Sequence, residues 1–140
     1  MSMLSDKEIA DFLASIKTIA VVGLSEDPAK DSHVVGSYLQ SQGYELVPVN
    51  PKARTVLGRK AYAKLADVEG KIDLVEVFRK SEEVAGIVDD AIAIGAKGIW
   101  LQLGIHDEVA EQKARKAGLF VISNCCLMVE HRRLLAHAEL

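Results

Sequence analysis

Two rhythms of apolar residues alternate along this chain, and between them they predict strands and helices in turn. Short β-branched runs mark strands at Thr18 to Gly23, Glu45 to Val49, Ile72 to Phe78, Gly98 to Leu103 and Leu119 to Ile122. Between them lie stretches whose apolar positions are three and four residues apart. Ser5-Asp6-Lys7-Glu8 reads as a capping box ahead of Ile9, Phe12, Leu13 and Ile16, so a helix leads the chain. A second helix is expected from Asp31 to Gln42, with Val35 and Leu39 on one face and Gly43 as its stop. Ser81 is placed to cap a third, carrying Val84, Ile87, Val88, Ala91 and Ile92, and Asp107 to cap a fourth that ends at Gly118. Thr55 to Leu65 reads as a short edge strand followed by a short helix. Strand and helix alternating in this way predict an α/β fold, a doubly wound, mostly parallel open sheet of about five or six strands with helices on both faces.

Composition agrees with that architecture. Of 140 residues, 49% are hydrophobic but only 5% aromatic, so the core is built from Val, Ile, Leu and Ala, as parallel sheets covered by helices require. The length suits a single domain over residues 1–140, and no repeat or low-complexity tract divides it. A net charge of −3 gives no general attraction to nucleic acid or to an anionic membrane. The N-terminus has neither a basic segment nor an apolar one, and the two cysteines are adjacent, so a cytoplasmic protein without a disulfide framework is expected. No His or Cys pairs occur at metal-ligand spacing, and no metal is expected.

Ligands on such sheets bind at the carboxyl ends of the strands, near the place where strand order reverses. Every predicted strand ends in small or polar residues, and the first is the most telling. Gly23-Leu24-Ser25-Glu26-Asp27-Pro28 leads from a strand into a helix, whose unpaired N–H groups and positive dipole end favour a phosphate. Ser25, Lys30 and Ser32 add donors there. Only the first glycine of G-x-G-x-x-G is present, and no G-K-[ST] follows, so the phosphates are held differently from those in a typical dehydrogenase or ATPase. At the second strand end an NAD site would carry an acidic residue for the ribose hydroxyls. This chain has Asn50, Pro51 and Lys52, which suit a ligand with an extra phosphate near an adenosine ribose. NADP and coenzyme A (CoA) both fit that description.

The motifs G-L-S-E-D-P-A-K-D-S, V-N-P-K, V-F-R, G-I-W-L-Q-L-G-I and N-C-C-L-M-V-E-H, in this order, resemble the small stand-alone CoA-binding domain proteins. Those proteins are similar to the CoA-binding part of the succinyl-CoA synthetase α subunit. The resemblance runs from about Ile16 to His131. It implies a Rossmann-like fold and CoA or an acyl-CoA as the bound cofactor. By the same resemblance Gly23, Leu24 and Ser25 approach the pyrophosphate, Lys30 neutralises charge and Ser32 opens the helix. Asn50, Pro51 and Lys52 flank the adenosine 3′-phosphate end, Phe78 and Arg79 line the crevice, and Gln102, Gly104 and Asn124 face the pantetheine or the pyrophosphate. The family often has small or proline residues after the third strand, where this chain has Phe78-Arg79.

Such synthetases carry a phosphorylated histidine on a second domain, and no segment around His33, His106, His131 or His137 is similar to that loop. Binding without catalysis is therefore expected, with no catalytic residues assigned and a protein partner left open. An NADP-dependent reductase or other nucleotide-using enzyme is the alternative, against which stand the missing glycines and the absence of a Tyr-x-x-x-Lys proton donor. Cys125 and Cys126 lie just past a strand end, within reach of a CoA thiol, but are expected to be small buried thiols rather than partners in a mixed disulfide. Trp100 is expected in the core, and Glu130 and His131 at a helix surface or end.

Overall fold

A computed structural model describes residues 4–135. The strands are β1 (Thr18–Val22), β2 (Glu45–Val49), β3 (Thr55–Val56), β4 (Arg59–Lys60), β5 (Leu74–Val77), β6 (Gly98–Leu101) and β7 (Phe120–Ile122). The helices are α1 (Asp6–Ser15), α2 (Asp31–Ser41), α3 (Val84–Ala93), α4 (Glu108–Lys116) and α5 (Leu127–Leu134). Five strands form one parallel sheet in the order β2-β1-β5-β6-β7, which is the expected doubly wound fold. The chain first moves outward from β1 to β2, then returns to the other side of β1 and continues outward through β5, β6 and β7. Strand order therefore reverses between β1 and β5.

Both faces of the sheet are buried, as the β-branched runs require. Ala20 and Val22 of β1 join Val75, Val77, Ile99 and Leu101 in a core closed by α3 and α4. Ile19 and Val21 join Leu74 and Trp100 in a second core closed by α1, α2 and α5. Burying one such aliphatic side chain contributes about 1.5–3 kcal/mol. Trp100 is fully buried, as expected, and its indole N–H donates to the Cys125 carbonyl oxygen at 2.9 Å.

Local signals account for most element ends. Ser5 and Glu8 close the predicted capping box, with bonds of 3.1 and 3.0 Å, and Asp107 accepts from the Ala110 N–H to cap α4. Asp73 ties the start of β5 to the start of β1, because its carboxylate takes the N–H groups of Lys17 and Thr18 at 2.9 and 3.1 Å and its own N–H donates to the Thr18 carbonyl at 3.0 Å. Burial pushes the Asp73 carboxyl up, but those two N–H donors and the Lys97 ammonium outweigh it, and the net pKa lies below the ordinary carboxylate value.

Several sequence expectations are corrected. Residues 55–60 form a two-stranded antiparallel hairpin of their own, followed by a 3₁₀ turn at Leu65–Asp67, and add no edge strand to the main sheet. Ser81 does not cap α3: it opens a 3₁₀ turn, and its hydroxyl accepts from the His106 N–H at 3.2 Å. Helix α5, for which no boundaries were predicted, starts at Cys126 without a side-chain cap from that residue. His131 is buried rather than at the surface, and its Nδ1 lies 2.7 Å from the Tyr38 hydroxyl, joining α5 to α2.

Candidate functional site

Gly23 ends β1 at the reversal of strand order. Its N–H donates to the Val49 carbonyl at 2.8 Å, and its φ of +92° lies where side-chain-bearing residues are rare. A Cβ there would stand 3.0 Å from both the Phe78 carbonyl oxygen and Arg79 Cδ. The glycine thus lets the ends of β1 and β5 approach closely, and a cleft of about 700 Å³ opens beside them.

Side chains that fold the loop over this cleft are mostly committed to one another. Ser32 Oγ accepts the Ser25 N–H at 3.0 Å, Ser25 Oγ accepts the Asp27 N–H at 3.0 Å, and Asp27 Oδ1 accepts the Ala29 N–H at 2.9 Å. His33 Nδ1 lies 2.8 Å from the Ser25 carbonyl, which can only accept, so Nδ1 carries the proton. Asn50 Nδ2 donates to the Leu24 carbonyl at 3.0 Å, and Asn50 Oδ1 takes the Lys52 N–H at 2.9 Å. These bonds fix the loop relative to the end of β2. Lys30 occupies the N-cap position of the 11-residue helix α2 without a side-chain cap and lines the cleft, while Asp31 and Val34 of the first turn border a neighbouring cavity.

Gly23, Ser25, Lys30, Asn50, Pro51, Lys52 and Arg79 all line this cleft, so residues more than fifty positions apart meet there. Lys64 and Ile87 line it too, and spacing gave no signal for either. Lys64 arrives because the segment after β4 returns along β2, where Tyr62 N–H donates to the Pro48 carbonyl and Asn50 N–H to the Tyr62 carbonyl. Four cations, Lys30, Lys52, Lys64 and Arg79, face two carboxylates, Glu83 and Asp90, on a chain whose net charge is negative. Arg79 is held by Glu83, with Nε to Oε1 at 3.2 Å.

The remaining expected residues lie elsewhere. Leu24 is fully buried beneath α2, so only its backbone belongs to the loop. Ser32 is buried and serves the loop through Ser25. Phe78 and Gln102 line a second cavity, about 420 Å³, between α2 and α5. Gly104 and Asn124 bind each other, N–H to Oδ1 at 2.7 Å, across the loops after β6 and β7. Cys126 borders the second cavity, and Cys125 is half-buried with its thiol held above the ordinary range, first by burial and then by the neighbouring Glu130.

The fold is that of a Rossmann-like α/β domain with a cleft at its strand reversal, and comparison with known proteins places it more narrowly. The chain belongs to the CoA binding domain family, which it matches over residues 17–132. It is 41% identical over 127 residues to "Uncharacterized protein YneT" of Bacillus subtilis, covering 91% of this chain and 94% of that one. It is 29% identical to the α subunit of an ADP-forming acetate–CoA ligase of Pyrococcus furiosus, over 76% of this chain but 23% of that subunit. Among solved structures, a hypothetical protein of Pyrococcus horikoshii superposes with a TM-score of 0.91 at 42% identity, covering 94% of this chain and 93% of that one. Acetyl-coenzyme A synthetase 1 of Ca. Korarchaeum cryptofilum superposes with a TM-score of 0.72 at 29% identity, over 81% of this chain and 27% of that enzyme. The similarity to the CoA-binding part of CoA ligases is thus present, with ADP-forming acetate–CoA ligases among the matching relatives. Among the described residues no helix is long and apolar enough to cross a membrane.

Proposed function

We propose that this chain binds coenzyme A or an acyl-CoA in the cleft at the β1/β5 reversal and performs no chemistry on it. The observation that carries the reading is the convergence of Lys30, Lys52, Lys64 and Arg79 on a cleft at the strand reversal, with Lys30 at the N-cap of α2. CoA carries a pyrophosphate and a ribose 3′-phosphate, so two anionic centres need cations at two places. Lys30 stands at the loop, where the pyrophosphate meets the helix end. Lys52 stands at the end of β2, where an adenosine ribose is placed in doubly wound sheets. The absence of an acidic residue in Asn50-Pro51-Lys52 favours a phosphorylated ribose over a free one.

The same feature would accommodate NADP, whose ribose also carries an additional phosphate. Calorimetric titration with CoA, acetyl-CoA, NADPH and NADH in one buffer separates the two. Selective micromolar binding of CoA or its thioester is expected. Preference for NADPH would overturn the reading in favour of a reductase, and binding of none would overturn both.

A further inference from the structure

The cavity between α2 and α5 opens at the same edge of the sheet as the cleft, on the other side of the strand reversal. The two spaces are neighbours in the chain at two points. Lys30 lines one and Asp31 the other, and Arg79 lines one and Phe78 the other. In doubly wound sheets an extended ligand lies across the reversal with one half on each side.

The chemistry of the second cavity differs from that of the first. Among the described residues four large hydrophobic side chains are exposed, and three of them border it: Val34 at 46%, Leu103 at 67% and Val129 at 52%. Exposed apolar residues gathered around a concavity mark a ligand site more often than singly scattered ones do. No basic residue lines it, and Asp31 is the charged one. Gln102 supplies the polar contact. The residue is only 8% exposed, and its Oε1 accepts the Leu127 N–H at 3.3 Å, at the start of α5. An N–H must face an oxygen, so the amide orientation is set by this bond, and Nε2 is left with two donors and no acceptor among the described residues.

We propose that this cavity receives the thioester end of the ligand together with a short saturated acyl group, making an apolar acyl-CoA the preferred ligand over CoA itself. This rests on the CoA reading above. Gln102 Nε2 donates to a carbonyl oxygen of the ligand's thioester end, and the acyl chain lies against Val34, Leu103, Met128 and Val129. Free CoA would leave those surfaces wet. A carboxylate-bearing acyl group would meet Asp31 and no compensating cation.

The test is calorimetric affinity for CoA, butyryl-CoA, succinyl-CoA and adenosine 3′,5′-bisphosphate, the last being the nucleotide half alone. Butyryl-CoA is expected to bind about tenfold more tightly than CoA, from burial of its added methylenes, and succinyl-CoA no more tightly than CoA. Val34→Asp and Leu103→Asp, both at exposed positions, should each bring the butyryl advantage to within about twofold, with adenosine 3′,5′-bisphosphate binding unchanged. Thermal unfolding checks that each variant folds. Val109→Asp, on α4 and 81% exposed, should change neither affinity. Equal affinity of the unaltered chain for butyryl-CoA and CoA, or an advantage that survives both substitutions, overturns the acyl site and leaves the CoA reading standing. Loss of self-association in the variants without loss of acyl preference would assign the patch to a second copy of the chain and overturn the proposal as well. Failure of the unaltered chain to bind CoA and the bisphosphate alike would overturn both readings.

Discussion

Glu76 of β5 stands in register with Trp100 of β6, both fully buried in the core beneath α1, α2 and α5, and neither carboxyl oxygen of Glu76 has a hydrogen-bond partner among the described residues. An ionised carboxylate there would be heavily penalised, and burial pushes its pKa from 4.5 up to about 8. The unfolded chain gives up this proton near pH 4.5 while the folded one keeps it. Stability is therefore expected to fall as pH rises from about 4.5 to about 8 and to level off above, by as much as about 5 kcal/mol. Glu76→Gln should remove this component, and Glu76→Leu should raise stability more at pH 8 than at pH 5. Urea unfolding at the two pH values checks both, and an unchanged pH slope in Glu76→Gln would show that the carboxyl is not the source.

Asp73 has the opposite sign. Its pKa is lowered in the folded chain, so its contribution is present above the unfolded value of 3.8 and is lost as pH falls through the folded one. Asp73→Asn should cost about 1–3 kcal/mol at pH 7, because the Lys17 and Thr18 N–H groups lose a charged acceptor shared between them. The deficit relative to the unaltered chain should shrink in acid. A pH-independent deficit in thermal unfolding would assign the loss to packing instead.

Gly23→Ala combines backbone strain with crowding. A side chain at φ +92° and 3.0 Å from the Phe78 carbonyl must push β1 and β5 apart at their carboxyl ends, which is expected to cost about 1–3 kcal/mol. Ligand affinity should fall with it, since the loop and Arg79 move together. An alanine variant with unchanged melting temperature would show that the strand ends yield easily.

Lys30→Ala and Lys52→Glu should weaken CoA binding much more than adenosine binding, and the CoA affinity of the unaltered chain should fall with ionic strength. Exposed charge pairs are screened by salt, and adenosine lacks the phosphates these lysines would neutralise. Isothermal titration at two salt concentrations gives both comparisons. Equal losses for the two ligands would place the lysines outside the phosphate contacts.

Much of the site could be read along the chain because each of its parts is a local signal. Gly23 ends a β-branched run, Lys30 opens a helix, and Asn50-Pro51-Lys52 ends the next run, so each is marked by a change of period or by a residue that stops pairing. Helix α5 was harder to bound. Its start carries no Ser, Thr, Asp or Asn cap, the Leu127 N–H being taken by Gln102 from β6, and no spacing rule reaches across 25 residues. Ser81 carried a misleading signal, since a cap residue is equally able to serve a distant N–H, here that of His106.

Hydrophobic period, caps and glycine stops by themselves determined the alternation of strands and helices, and hence the parallel sheet, because these act over three to seven residues. Tertiary structure alone decided that Lys64 reaches the cleft, that Phe78 and Gln102 belong to a separate apolar cavity and that Glu76 is buried without a partner among the described residues. Each of these depends on which strand lies beside which and on which sheet face a helix covers. Those outcomes are set by packing among residues far apart in sequence, and no local pattern records them.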